Sequence, residues 1–315
     1  MIRVLLFALL VTANIAFAQE GTVRIVLGFP AGASSDLLTR LLADHMRGSL
    51  NQPVIVENRT GAGGQIANEA VKAAAPDGLT LLMTPVATMS IYPHSYASLR
   101  YDPFTDYAPV AHLARFHLGL GVSAKVPAAT LAEYIALVRK DPKAGFYASA
   151  AAGSIPHFLG VMFSRAAGIE MVHVPYKGTA NVLQALAAAE ISAATTPASD
   201  IASLVRSGKA RLLATSGAQR SSSFPDVPTF RESGYDIEGM GWYALFAPAR
   251  TPQPVIRRLS KAAVDAMQAP ALHTRLEHLG LEPTGLGPRE LAGIMKADFE
   301  RWGPVIRASG FKPEQ

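Results

Sequence analysis

Residues 23–42 read VRIVLGFPAGASSDLLTRLL, and the order of residue types in this stretch decides the fold class. Val23 to Leu27 is an apolar, β-rich run, and the leucines within residues 37–42 recur at the spacing of one helical face. A loop of small residues lies between the two patterns. A strand, a short loop and a helix in this order form the first half of a βαβ unit, which predicts an α/β fold.

The same alternation continues to the end of the chain and predicts a mainly parallel sheet. Further strands are predicted at 54–56, 79–83, 146–149, 171–175, 191–195, 211–215 and 243–246. Helices are predicted at 65–74, 130–140, 156–167, 179–188 and 201–206, followed by long amphipathic helices from Thr251 to the end. The length of 315 residues suggests about two domains on a prior of roughly 150 residues each.

We therefore expect two α/β lobes joined by two crossings. Lobe 1 comprises residues 19–121 plus 243–315, and lobe 2 comprises residues 122–242. The crossings fall near Gly119 to Ser123 and near Gly239 to Trp242. Each contains a glycine, which tolerates the change of backbone dihedrals that a hinge requires.

Residues 1–18 have the three regions of a secretory signal peptide. Arg3 supplies the positive charge, Val4 to Val11 the apolar run, and Ala16-Phe17-Ala18 the small-residue cleavage site. The apolar run is shorter than the roughly 20 residues that span a bilayer. We expect export to the periplasm, with cleavage after Ala18.

Composition excludes several classes of function. The chain has no cysteine, so lipid anchoring through a cysteine, disulfides, thiolate metal sites and cysteine nucleophiles are excluded. No later apolar stretch has membrane-spanning length, so we expect no membrane anchor. The net charge of +5 is mild and its basic residues are scattered, which predicts no nucleic-acid partner.

Two loops are candidates for ligand binding. The first, Gly28 to Asp36, joins a strand to a helix whose unpaired N–H groups suit an anion. Ser34 or Ser35 could instead simply cap that helix, and both interpretations stay open. The second loop, Ser149 to His157, repeats the pattern, with Pro156 near the first helical position. His157 is more typical of a packing or hydrogen-bonding residue than of an acid or base. The two loops could face each other across a cleft.

Signatures of catalysis and metal binding are thin. Glu57 to Gly64 looks like a phosphate loop, but it lacks the required lysine and glycine spacing, so a tight turn is favoured. There is no Gly-x-Ser-x-Gly elbow and no nucleophile-base set. The pairs His112/His117 and His273/His278 are five residues apart, which does not place two ligands on one helical face. We expect no metal, no cofactor and no enzymatic activity, and a hydrolase is the least favoured alternative.

The chain resembles the substrate-binding proteins of tripartite tricarboxylate transporters, also called the Bug family, over essentially its whole mature length. The matching motifs are Phe29-Pro30-Ala31-Gly32 with Asp36 and Arg40, Val56 to Gly64, Pro76 to Leu82, Gly153-Ser154 with His157, His173 to Gly178, Gly208 to Arg211, Pro225 to Thr229, and Trp242 with Ala247 to Pro252. The resemblance implies a periplasmic Venus flytrap, in which two α/β lobes close on a small organic carboxylate. Backbone N–H groups, hydroxyls and waters would hold that ligand rather than an arginine.

The resemblance also implies the ligand contacts. They are Phe29, Pro30, Ala31, Gly32, Ala33, Ser34, Ser35, Thr84 and Thr88 in lobe 1, and Ser149, Ala150, Gly153, Ser154, His157 and Thr196 in lobe 2. Two positions depart from the family pattern: Ala33 replaces the second of paired glycines, and Thr196 stands near a position where many members carry an aspartate. The second departure suggests a ligand without an α-amino group.

The predicted function is capture of the carboxylate, with no bond made or broken, and delivery to membrane transporter subunits. An alternative is a sensor that presents its closed form to a receptor ectodomain. Neighbouring genes would discriminate between the two, because genes for a large and a small membrane subunit favour transport, whereas an isolated gene favours sensing or a shared permease. A monomer is the expected state.

Overall fold

The computed structural model describes residues 21–311. The predicted signal peptide, Met1 to Ala18, lies outside the described residues. The strands are β1 (Val23–Leu27), β2 (Val54–Asn58), β3 (Thr80–Pro85), β4 (Tyr107–Ser123), β5 (Phe146–Ser149), β6 (Val172–Pro175), β7 (Ala193–Pro197), β8 (Ala210–Thr215), β9 (Met240–Pro248) and β10 (Glu282–Leu286). The α-helices are α1 (Ser34–Leu50), α2 (Gln65–Lys72), α3 (Tyr92–Ser95), α4 (Leu131–Lys140), α5 (Ile155–Ala167), α6 (Thr179–Ala188), α7 (Ala198–Arg206), α8 (Gln253–Gln268), α9 (Pro270–His278) and α10 (Pro288–Ser309). A π-helix, Ala87–Ile91, precedes α3.

The sheet is mixed, and the prediction of a mainly parallel sheet is wrong in its centre. The strand order is β2-β1-β3-β9-β4-β7-β5-β6, and β8 and β10 also pair with β4. β1 is parallel to β2 and β3, and β5 is parallel to β6 and β7. All pairs that involve β4 or β9 are antiparallel. The βαβ units therefore lie at the two ends of the sheet. Between them, β9 runs opposite to β1, β2 and β3, and β4 runs opposite to β5, β6 and β7.

β4 is a 17-residue strand that belongs to both halves of the sheet. Tyr107 to His117 pair with β9, whereas Leu118 to Ser123 pair with β7 and β8. The sequence predicted a crossing at the end of this segment but no strand. Pro109, Gly119 and Gly121 are unusual inside strands, so the segment lacked a strand signal. The change of partner divides the strands into two groups, which helices cover to form two α/β lobes.

The prediction of long amphipathic helices from Thr251 to the end omitted a strand, because β10 separates α9 from α10. β10 contains Pro283 and Gly285, which local propensity disfavours in strands. It pairs with β4 through Glu282 and Arg115, with a register shift before Leu286. Pairing with a distant strand thus decides the conformation here.

The end of α10 packs on lobe 2. The Arg165 guanidinium on α5 donates hydrogen bonds to the carbonyls of Ala308 and, at 2.8 Å, of Ser309. The ring of Phe311 lies edge-on to Phe158, with 5.5 Å between centroids. The C-terminal segment therefore connects the two lobes in addition to β4 and β9. Within residues 21–311, no helix is both long and apolar enough to cross a membrane.

Candidate ligand site between the lobes

A cavity between the lobes receives residues from both candidate loops. The first loop contributes Phe29, Pro30, Ala31, Ala33 and Ser35, and the second contributes Ala150, Ala151, Ser154, Ile155 and Pro156. The rest of the lining consists of Pro85, Val86, Ala87, Tyr92, Phe116, Leu118, Thr179, Ala180, Pro197, Asp200, Gly241 and Tyr243. The cavity measures about 770 Å³, including the space open to solvent. Its position at the carboxyl ends of β1, β3, β5 and β7 is the usual place for ligands in α/β folds.

Several helices begin at this cavity. Ser35 lies in the first turn of α1, Ser154 precedes α5, Thr179 begins α6, and Pro197 precedes α7. A helix N-terminus presents unpaired N–H groups and carries a partial positive charge of about half an elementary unit. The convergence of these termini makes the cavity suited to an anion.

The side chains add no positive charge. Among the described residues, no lysine, arginine or histidine lines the cavity, and Asp200 is the one carboxylic acid in the lining. Most other lining groups are apolar, including Phe29, Val86, Phe116 and Leu118. An anion here would depend on main-chain donors and hydroxyls, beside a largely apolar wall.

Asp36 holds the first loop in place. Its carboxylate accepts the N–H of Gly32 at 3.1 Å and two bonds of 2.9 Å from the Arg40 guanidinium. Asn58 bridges this carboxylate and the carbonyl of Phe29, at 3.0 Å each. Burial alone would raise the pKa of Asp36, but the hydrogen bonds from Arg40, Asn58 and Gly32 outweigh it and lower the pKa. The loop is therefore preorganised by a buried, ionised carboxylate.

The serines of the first loop do not cap α1. The helix begins at Ser34, its N-cap is Ala33, and no side chain caps it. The Ser34 hydroxyl lies 3.2 Å from the Tyr243 hydroxyl, and the Ser34 N–H donates to Oδ1 of Asp200 at 3.0 Å. The capping interpretation is thus wrong, and Ser34 instead contacts the other lobe.

Buried hydrogen bonds hold the second loop. The Gly153 N–H donates to Nδ1 of His157 at 3.0 Å, and the Ser154 hydroxyl donates to the Ala151 carbonyl at 2.7 Å. The His157 ring stacks on His173, with 4.0 Å between centroids. Burial lowers the pKa of His157 to about 4 and, together with the nearby His157, lowers the pKa of His173 to about 3. Both rings are therefore neutral at pH 7, and His157 stabilises the second loop by accepting the Gly153 N–H.

The lobes also touch beside the cavity. The Ser95 hydroxyl donates to the Gly153 carbonyl at 3.2 Å, and the Tyr96 hydroxyl donates to the Ala152 carbonyl at 3.1 Å. Together with the bond from Ser34 to Asp200, these contacts define a closed arrangement.

The predicted site residues divide into two groups. Phe29, Pro30, Ala31, Ala33, Ser35, Ala150 and Ser154 line the cavity. The others lie outside its lining: Gly32, Ser34, Thr84, Thr88, Ser149, Gly153, His157 and Thr196.

Each residue of the second group has a different position. Gly32 and Ser34 border a neighbouring cleft. The hydroxyls of Thr84 and Thr88 lie 2.6 Å apart in the core, and the Thr196 hydroxyl is buried at 3.0 Å from the Pro197 carbonyl. Ser149, Gly153 and His157 belong to the second loop but form hydrogen bonds to other protein groups and do not line the cavity.

Sequence reasoning missed Asp200 and Tyr243. Asp200 lies in the first turn of α7, which begins directly after β7, so it occupies the start of a helix that follows a strand, as Ser35 does in α1. That pattern was the signal that could have found it. Tyr243 gives no such signal, because it lies inside β9 and reaches the cavity only through the sheet.

One pair of residues bears on catalysis. Oγ of Ser149 lies 2.7 Å from Nε2 of His173, a nucleophile-base contact that the sequence did not predict. The Ser149 hydroxyl is fully buried and donates to the Ala151 carbonyl. Neither residue is in the cavity lining, so the pair has no access to a cavity ligand. Over residues 21–311, no group of three or more His, Asp or Glu side chains is placed to hold a metal ion.

Two α/β lobes, joined by strands and enclosing a cavity at the carboxyl ends of their strands, define the class of periplasmic solute-binding proteins. Residues 38–311 match the family model described as the tripartite tricarboxylate transporter family receptor. The chain belongs to this family, whose receptors are periplasmic, and within it to the Bug group.

Individual relatives agree over nearly the full length. BugT of Bordetella pertussis is 32% identical, over 92% of this chain and 90% of its own. MatC of Rhodopseudomonas palustris, solved with bound malate, is 31% identical with a TM-score of 0.85, over 90% of this chain and 98% of its own. Rpa4515 of R. palustris, solved with adipate, is 28% identical with a TM-score of 0.91, over 94% of this chain and 100% of its own.

Proposed function

We propose that this protein is exported to the periplasm, captures a small organic carboxylate between its lobes and delivers it to the membrane subunits of a tripartite tricarboxylate-type transporter. It makes and breaks no bond in its ligand. The observation that carries the proposal is the convergence of helix N-termini from both lobes on one cavity without a basic side chain.

Hydrogen-bond energetics support capture by main-chain donors. A hydrogen bond to a charged group contributes about 1.5–3 kcal/mol net. A handful of such bonds supplies the roughly 8 kcal/mol of a micromolar complex. Donors held in place by Asp36 and His157 lose little conformational entropy on binding, which favours affinity further.

Closure supplies the switch that a transporter can recognise. A ligand that contacts Ser35 of lobe 1 and Ser154 of lobe 2 stabilises the closed form, because only that form offers both sets of contacts. The bonds from Ser95 and Tyr96 to the second loop add to the same form. The outer surface of the closed form is then the feature that the membrane subunits would bind.

The relatives support a carboxylate as the ligand. MatC was solved with malate and Rpa4515 with adipate, and both molecules are small organic carboxylates. By analogy, a carboxylate would lie in the cavity between the first and second loops. We expect Phe29 to Ser35 and Ala150 to Ser154 to flank it.

A thermal-shift screen of small carboxylates tests this proposal. A ligand at a hundredfold excess over its dissociation constant stabilises the folded state by about 2.7 kcal/mol, a shift of several degrees. Ala180, which lines the cavity and is exposed, can be changed to Trp to block it. Ala188, exposed near the end of the same helix and outside the lining, provides the matched control.

We expect Ala180→Trp to abolish the ligand-induced shift and Ala188→Trp to preserve it. If no carboxylate raises the melting temperature of the wild type, or if Ala180→Trp binds as tightly as the wild type, the proposal is wrong.

A further inference from the structure

We propose that Asp200 is a specificity-determining residue that restricts the cavity to carboxylates with a single negative charge and an apolar body. The inference rests on the proposed function, since it concerns which carboxylate the same cavity accepts. It differs from what the relatives' bound ligands would suggest, because malate and adipate each carry two carboxyl groups.

The position of Asp200 is set by both lobes. It lies in the first turn of α7 in lobe 2, and its Oδ1 accepts the Ser34 N–H, at the start of α1 in lobe 1, at 3.0 Å. Burial raises the pKa of Asp200, and hydrogen bonds from Ser34 and Thr179 offset part of this rise. Asp200 thus already occupies donors that an incoming anion would otherwise use.

Asp200 offsets the partial positive charge of three of the helix N-termini at the cavity. The N-termini of α1, α5, α6 and α7 face the cavity. Asp200 takes an N–H of α1, stands on α7 and bonds to Thr179 at the start of α6. The N-terminus of α5, with Ala150 to Ser154, is the one left without an acidic partner among these four. The cavity therefore has one uncompensated place for an anion.

A second carboxylate on the ligand would have no counterion. Among the described residues, the lining contains no cationic side chain. The hydrogen bonds from Ser34 and Thr179 and the N-terminus of α7 favour the ionised form of Asp200, and in that form it repels a second carboxylate in a poorly solvated site. Away from α5, the wall is apolar, with Phe29, Val86, Phe116 and Leu118. Burying a carboxylate against such a wall is costly, whereas burying a methyl or methylene group is favourable.

The test compares hexanoate with adipate, which have the same six-carbon chain and differ in the second carboxyl group. Titration calorimetry at pH 7.5 measures both ligands against the wild type and Asp200→Asn. Asparagine keeps an oxygen that accepts the Ser34 N–H and removes the charge. Asp44→Asn, on the exposed face of α1, is the control for loss of a negative charge elsewhere.

We expect the wild type and Asp44→Asn to bind hexanoate at least tenfold more tightly than adipate. Asp200→Asn should reduce this ratio to less than threefold, chiefly by strengthening adipate binding. Equal or tighter binding of adipate by the wild type would overturn the inference, as would an unchanged ratio in Asp200→Asn.

A wider panel separates failure of this inference from failure of the proposed function. It pairs benzoate with terephthalate and butanoate with succinate, so that each pair differs in one carboxyl group. A preference for the dicarboxylate in any pair overturns the assignment to Asp200 but leaves carboxylate capture intact. Absence of binding by every carboxylate overturns both.

Discussion

The backbone N–H of Gly32 donates a hydrogen bond of 3.1 Å to Oδ2 of Asp36, four residues further along the chain. The bond closes the first loop onto the start of α1, and Gly32 adopts a φ of 95°, which non-glycine residues rarely adopt. Arg40 and Asn58 complete the partners of the carboxylate. The shape of this wall of the cavity therefore depends on one ionised side chain.

Asp36→Asn should destabilise the fold by about 1–3 kcal/mol at pH 7, because it weakens charge-assisted bonds to a buried carboxylate. The pKa of Asp36 is lowered in the folded state, so its stabilisation is present above the unfolded pKa near 3.8 and is lost as pH falls through the folded value. Urea unfolding at pH 7 and pH 3 measures both effects. Asp44→Asn should change stability by less than about 0.5 kcal/mol, and an equal loss in the two variants would contradict this account.

His112 should make the fold sensitive to acid. Its ring is fully buried between β4 and β10, with Nδ1 2.6 Å from the Thr284 hydroxyl. Burial, with the nearby Arg115 charge, lowers the pKa of His112 to about 4. Between about pH 6.5 and pH 4, this histidine is protonated in the unfolded state but neutral in the folded state. The free energy of unfolding therefore decreases by up to about 1.4 kcal/mol for each unit by which the pH is lowered in this range.

Replacing the ring should reduce that slope. In His112→Gln, the fall in unfolding free energy between pH 7 and pH 5 should be smaller than in the wild type by about 2 kcal/mol. His278→Gln, at an exposed position at the end of α9, is the matched control for loss of an imidazole. Identical slopes for the wild type and His112→Gln would show that the ring does not stay neutral in the folded protein.

The contact between Tyr96 and the second loop should affect affinity rather than folding. Tyr96→Phe removes the hydroxyl that donates to the Ala152 carbonyl across the cleft. A net hydrogen bond contributes about 0.5–1.5 kcal/mol, so closure and ligand affinity should weaken by roughly two- to tenfold. Calorimetry gives the affinity, and small-angle scattering of the ligand-free variant should show a larger radius of gyration. Unchanged affinity would mean that the hydroxyl does not contribute to closure.

The close approach of two loop backbones should make Gly28 intolerant of substitution. A Cβ added at Gly28 would lie 2.6 Å from the Cα of Gly64 and 2.9 Å from its carbonyl oxygen, and backbone atoms cannot move aside cheaply. Gly28→Ala should therefore destabilise the fold by about 1–3 kcal/mol. At Gly48, within α1, no atom lies within 4 Å of the added Cβ, and Gly48→Ala should stabilise the helix by about 0.5–1 kcal/mol. Thermal unfolding measures both, and a neutral Gly28→Ala would contradict the packing described here.

Local pattern predicted the βαβ units well. The helices 156–167 and 179–188 and the strands 23–27 and 146–149 lie within one residue of their predicted bounds, because each pairs hydrophobic periodicity with a turn signal. β4 and β10 were missed because they are made by pairing with distant strands, against the preferences of Pro109, Pro283 and Gly285. Strands that form through pairing with distant segments are hard to predict from the residue pattern of the segment itself.

The candidate site shows the same division. The first and second loops were predicted because both show the same order of a strand, a loop of small residues and a helix. Asp200 was missed because the family pattern places an aspartate near Thr196, in β7, whereas Asp200 lies in the first turn of the next helix. The direction of its side chain depends on how the lobes close, which no local pattern encodes.

A crystal structure of the protein with a bound carboxylate, hexanoate in the first instance, tests the central claim most directly. We predict that the carboxylate oxygens lie 2.7–3.2 Å from donors of both lobes, with Ser154 and the start of α5 on one side and the Phe29 to Ser35 loop on the other. A ligand bound outside this cavity, or held by donors of one lobe alone with the lobes apart, would contradict the account.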